Sequence, residues 1–302
     1  MSIFSESHQA ASSQSFEESN DMRIISAVVA GFEYRWYNGV AIPTIKFRDD
    51  IGEGGFPILG LHYLSLSHER FCPWCFSESN LSTSLCERCE GSDLARRLSC
   101  IHEGPGQPYG DECTPSNPSC GLDSWAKAVC YSKWMLYVAS VCGTVKVGIS
   151  RMCKDGCDMG FTKRLISQGA ASWISIGPIK DLRSALAAES KLSDDLSITT
   201  YVTTDQKVEW ILSGCPSVDI PLGEVRSWIH KENSKAFLQG SFMDSFSFGI
   251  GDDSQIRYER EPLSLVGEPV ISVGPLVGFK SDDVIVLTSI EKNVGRGLLG
   301  DI

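Results

Sequence analysis

The chain has 302 residues, which at roughly 150 residues per domain suggests two domains. With 42% hydrophobic and 9% aromatic residues it can bury a sizeable core, so a chain disordered throughout is excluded. Lys and Arg number 27 against 38 Asp and Glu, a formal charge of −11, which argues against nucleic-acid binding spread over the whole surface.

Residues 1–21 hold seven serines and little that packs, and they read as a disordered tail. They lack the basic and apolar segments of a signal peptide, and no stretch of the chain is long and apolar enough to span a bilayer. Residues 22–70 read as a β-strand region. ISAVVAGFEYRWY is followed by an Asn38-Gly39 turn and the strand AIPTIKF, a hairpin pattern. Asp49 to Phe56 reads as a Gly-rich acidic loop, and LHYLSLSHERF as a further strand.

The cysteines dominate residues 71–130. Of 12 in the chain, 11 lie between Cys72 and Cys157, and only Cys215 lies outside. Without a secretory signal, this clustering predicts metal binding in a reducing cytoplasm rather than disulfides. Cys72-Pro73-Trp74-Cys75 and Cys86-Glu87-Arg88-Cys89 are two CxxC pairs, each able to turn both sulfurs onto one ion. Four thiolates make a closed tetrahedral zinc site, structural because no position is left open. The alternative is a redox CxxC pair. Cys100, Cys113, Cys120 and Cys130 follow at looser spacing, with His102 as a substitute ligand, and read as a second zinc site or as buried thiols. Cys153 and Cys157, flanked by the cations Arg151 and Lys154 that favour a thiolate, read as a reactive pair, a further metal ligand or an ordinary loop.

Residues 131–200 read as a compact α/β module. WMLYVASV and VKVGIS are strands about a Cys142-Gly143-Thr144 turn. FTKRLISQ is a short helix with Thr162 as N-cap and Gly169 past its end, ASWISIG is a third strand, and a second helix starts at Asp181. Residues 201–302 read as one helix from Gly223 to Phe237, then a C-terminal β-region expected to pair with the strands of residues 22–70. Two observations point to a site. Glu189 falls on its helix's apolar stripe of Leu182, Ala185, Leu186, Leu192 and Leu196, where a carboxylate is costly unless paired or metal-bound. From Lys127 to Lys191, ten Lys and Arg against four acids give 10 − 4 = +6, a basic module that suits an anionic ligand such as phosphate.

Met135-Leu136-Tyr137, Lys146-Val147-Gly148, Arg164 and Glu189 together resemble the GIY-YIG nuclease module. YVASVCGTVKVGIS, followed by KRLISQGA after a cysteine-rich region, is similar to uncharacterised bacterial and archaeal proteins that pair zinc-binding cysteines with a "YLA…KVGIT…RW..QGA" segment. The resemblance implies an α+β architecture: a zinc-ribbon-type region, a GIY-YIG-like module and a flanking β-strand domain. It implies catalytic roles for Tyr137 (activating water), Arg164 (holding phosphate) and Glu189 (holding Mg²⁺). Lys146 stands in place of the YIG tyrosine, as a base or an anion grip, and Gln168 where a His often follows the Arg. The expected function is binding or processing of a phosphate-bearing ligand, nucleic acid first. The alternatives are a small-molecule biosynthetic enzyme using the same pocket and a zinc scaffold for protein partners. No Walker, HExxH or GxSxG pattern is present, and no GxGxxG follows a strand.

Overall fold

The structure is a computed structural model. It describes residues 25–37, 40–49, 51–59, 62–72, 75, 77–78, 86, 89, 129–152, 159–232, 234, 236–241, 255–262, 264–294 and 296–299. The expected tail, the Asn38-Gly39 turn, His102, Cys100, Cys113, Cys120, Cys153 and Cys157 lie outside these residues. Two sheets and, among the described residues, four α-helices make a mixed α/β chain. None of these helices is long and apolar enough to cross a membrane.

The first sheet has nine strands. The N-terminal strands are β1 (Ile25–Tyr37), β2 (Val40–Arg48), β3 (Glu53–Pro57) and β4 (His62–Arg70). The C-terminal ones are β9 (Gln255–Tyr258), β10 (Ser264–Val273), β11 (Leu276–Ser281), β12 (Val284–Ser289) and β13 (Arg296–Leu299). The order is β3-β2-β1-β13-β4-β10-β11-β12-β9, so the two ends of the chain interleave. Tyr37 pairs with Val40 across a two-residue connection, as the hairpin pattern requires. The loop expected over residues 49–56 is partly wrong, because Gly54 and Gly55 are in a strand. A Cβ at Gly54 would lie 2.2 Å from the Phe47 ring, and one at Gly55 2.5 Å from the Arg35 guanidinium. These two side chains lie across the bare backbone and replace the missing ones.

The second sheet runs β6-β5-β7-β8, all antiparallel: β5 (Trp134–Val141), β6 (Thr144–Arg151), β7 (Ala170–Ile179) and β8 (Ala236–Ser241). β5 is covered on both faces, which is why it reads as one unbroken apolar run. Its residues Met135, Tyr137, Ala139 and Val141 join a core with Val273, Leu276 and Ile285 of the first sheet. Leu136 and Val138 join another with Leu192, Val225 and Trp228.

The helices are α1 (Met159–Gln168), α2 (Leu182–Leu196), α3 (Thr204–Leu212) and α4 (Leu222–Lys231). α1 starts before the expected cap, so Thr162 lies inside it. Phe161 anchors that extra turn, edge-on to Tyr137 at 5.7 Å and to Trp173 at 5.1 Å. α4 stops at Lys231 rather than Phe237 because residues 236–241 pair as β8 with β7. α3 went unforeseen.

Candidate functional site

Two groups of side chains carry chemistry. The first lies just past β4. Phe71 pairs with Glu78, and the Cys72 N–H donates to the Ser77 carbonyl at 2.8 Å, which folds the chain back so that Cys72 and Cys75 face the same way. The Cys89 N–H donates to the Cys86 carbonyl at 2.8 Å and brings the second pair round. The four sulfurs lie within 4.8 Å of one another, with Cys75 to Cys86 at 3.2 Å and Cys72 to Cys89 at 3.9 Å. A disulfide needs about 2.05 Å. Tetrahedral zinc with bonds of about 2.3 Å places its sulfurs about 3.8 Å apart. Spacing and donor set therefore fit a zinc-type ion held by Cys72, Cys75, Cys86 and Cys89. Cys130 is not among the four. It is buried beside Leu182, whose N–H donates to the Cys130 carbonyl at 2.8 Å.

The second group surrounds a cavity of about 400 Å³ beside the edge strand β6. Tyr137, Lys146, Arg164 and Glu189, from β5, β6, α1 and α2, all line it. Lys163, on the same helix as Arg164, does not. Gly148 makes this convergence possible. It sits opposite Tyr137 across the β5–β6 pair, and a Cβ there would come within 2.4 Å of the Tyr137 hydroxyl. The phenol therefore lies over bare backbone, 0% exposed, and its hydroxyl donates to Gln168 Oε1 at 2.9 Å. α2 aims Glu189 at the cavity because Leu182, Ala185 and Leu192 are buried on the same stripe. Asp181 fixes the start of that helix by accepting the Ser184 N–H at 2.7 Å.

The electrostatics are uneven. Burial pushes the Tyr137 phenol well above its usual range, only partly eased by Arg164 and Gln168, so the hydroxyl stays protonated and is a poor base. Lys146 is 7% exposed. Burial, reinforced by Arg164, pulls its ammonium down to about 8 against the opposing pull of Glu189. Burial raises the Glu189 carboxyl, and Lys146 and Arg164 pull it back. Among the described residues, no salt bridge joins Lys146, Arg164 and Glu189. Their charges act on one another across the cavity without direct contact.

A smaller polar cavity of about 210 Å³ shares Lys146, Arg164 and Thr200 with the first. Lys207 of α3, 8% exposed, lines it, together with Glu291 from the 3-10 turn Ile290–Asn293. Lys207 was missed in the sequence because its helix was missed. The signal was there: Thr203 and Gln206 form a reciprocal capping box at the start of α3.

A family model described as "Protein of unknown function (DUF2797)" matches residues 62–214, just over half of the 302-residue chain. That span runs from the start of β4 to just past α3. It takes in the four cysteines and Tyr137, Lys146, Arg164, Glu189 and Lys207, and leaves out Glu291. No curated protein and no solved structure matches the chain.

Proposed function

The chain belongs to the DUF2797 family, and we propose that its larger cavity binds a phosphate-bearing ligand, nucleic acid first, on a GIY-YIG-like module beside a structural zinc centre. One observation carries this reading. Lys146, Arg164 and Glu189, on three different elements, converge on one cavity without neutralising one another by direct contact. A buried ammonium without a partner is costly, and an anionic ligand offsets that cost. The succession hairpin, helix, strand, helix over residues 134–196 supports the GIY-YIG likeness. So does the placing of Tyr137 against Gly148.

The chemistry differs from that of the nucleases it resembles. Tyr137 is buried and protonated, so Lys146, brought down to about 8, is a titratable group at the cavity beside Glu189, and Arg164, exposed at its mouth, the phosphate clamp. Glu189 is a single carboxylate flanked by cations, which by itself is a poor Mg²⁺ site, so the reading includes no metal-dependent step. A second reading, an enzyme acting on a small molecule, is favoured by the cavity's volume of about 400 Å³, which falls in the range of small-ligand pockets.

The test is a titration of the purified protein with tRNA and single-stranded RNA at two salt concentrations. Affinity should fall steeply with salt. Arg164→Ala should weaken binding by about tenfold or more, the worth of a charge-assisted contact. Binding indifferent to salt, or unchanged in Arg164→Ala, would sink the nucleic-acid reading.

A further inference from the structure

We infer that the smaller cavity is the seat of a terminal phosphomonoester, gripped by Lys146, Arg164 and Lys207, with the remainder of the ligand lying in the larger cavity. The inference rests on the phosphate reading above and narrows it from phosphate-bearing ligands to those with a free phosphate end. Three cations and one carboxylate, Glu291, line the smaller cavity, a balance of 3 − 1 = +2. A phosphomonoester carries close to two negative charges at neutral pH, whereas an internal phosphodiester carries one.

Two of the three cations are nine-tenths buried: Lys146 at 7% exposure and Lys207 at 8%. Neither ammonium makes a hydrogen bond or salt bridge among the described residues. A lysine kept for stability would be paired. An unpaired one reduces stability and is explained by a ligand that is not always present. Lys207 stands in the first turn of α3, and Thr204 at the start of that helix also lines the cavity, so the helix adds its positive end to the site. Ser167, Gln168 and Thr200 supply neutral polar groups.

The larger cavity differs in character. Trp134, Ile149, Leu182 and Leu186 give it apolar walls suited to a flat organic group such as a base. Lys146 and Arg164 line both cavities, so one ligand can span them with its phosphate at Lys207 and its base near Glu189.

The experiment compares three single-stranded RNAs of one sequence, with a 5′-phosphate, a 3′-phosphate or hydroxyls at both ends, alongside adenosine 5′-monophosphate. All are titrated into the zinc-loaded full chain and into Lys207→Met and Arg164→Ala. One phosphorylated RNA, or the mononucleotide, should bind about tenfold or more tightly than the unphosphorylated RNA. Lys207→Met should erase that preference and keep the weaker affinity, while Arg164→Ala weakens every ligand. Preference for the RNA points to strand ends, and equal binding of the mononucleotide to a small-molecule ligand; either supports the inference. Thermal melting is the second readout. Without ligand, Lys207→Met should melt no lower than the parent protein, because an unpaired buried charge is gone. Equal affinity for all three RNAs with loss only in Arg164→Ala would overturn the subsite and leave the phosphate reading intact. Preference retained in Lys207→Met, or a fall in its melting temperature, would overturn the subsite too. No binding of any ligand would overturn both.

Discussion

Lys146 is the cavity residue for which burial moves a titration closest to neutral pH. Its partner across β5–β6 is Ala139, and its own strand edge is covered where the Val147 N–H donates to the Thr199 carbonyl at 2.9 Å. Arg164, Glu189 and Lys207 surround its ammonium, two cations against one carboxylate. Its ammonium is lowered to about 8 from an ordinary 10.5. The folded protein therefore binds fewer protons than the unfolded chain between those values, and stability rises with pH across that window. Below pH 8 the full penalty is present, roughly 3 kcal/mol at most on the linkage relation. Lys146→Met should raise the melting temperature at pH 7 and flatten the rise between pH 8 and 10. A ligand anion reverses the preference, so phosphate binding should weaken as pH passes 8. A Lys146→Met protein that melts lower than its parent at pH 7 would show the lysine to be a structural partner instead. Tyr137, Lys146, Arg164 and Glu189 were legible in the sequence because each falls at a motif position or on a helix stripe. What the sequence withheld was their environment: Tyr137 stays protonated because it is buried in a core that both sheets build, Phe161 edge-on to its ring among the packing residues.

Among the elements that line the larger cavity, α2, which carries Glu189, was the most legible. Its cap, its stripe and its length are all local, so no distant contact is needed to predict them. Asp181→Ala should cost about 1 kcal/mol, because the Ser184 N–H loses its acceptor. Asp181→Asn should recover most of that, since its side-chain oxygen still caps while the weak exposed pair with Lys180 is lost. Chemical denaturation of the two variants separates capping from charge; equal losses in both would assign the effect to the ion pair. Elements set by tertiary contacts were read less well. α1 gains a turn from Phe161, and α4 yields its expected last residues to β8. The Gly-rich stretch at Gly54 and Gly55 becomes β3 because Phe47 and Arg35 supply its missing side chains. α3 is short and its amphipathic signal slight, so only its capping box announced it, and with it Lys207 was overlooked.

At the scale of the whole molecule, the four-cysteine group follows a strand of the first sheet and the cavity lies beside the second, yet those sheets share a core. Val273, Leu276 and Ile285 of the first sheet pack with Met135, Tyr137 and Val141 of the second. The β10–β11 turn presses on the end of α1 so closely that a Cβ at Gly274 would lie 2.9 Å from the Ser167 carbonyl, and one at Gly169 2.8 Å from Val273. Gly169 and Gly274 both have positive φ, so each is required twice, by space and by backbone. Pro275 and Glu291 of the first sheet's half line the smaller cavity, which makes the site a product of both sheets. β4, which leads directly into Cys72, sits at the middle of the nine-stranded sheet between β13 and β10. Metal at Cys72, Cys75, Cys86 and Cys89 therefore secures the end of a central strand, and through the shared core it should stabilise the cavity as well. Purified protein should carry zinc at this centre. Cys86→Ser should lower the zinc content by one ion per chain. Calorimetry of the chelator-treated protein should show one transition moved down by several degrees, rather than one of two. Two separate transitions, only one of them responding to zinc, would mean that the sheets unfold independently and that the metal acts on its own sheet alone.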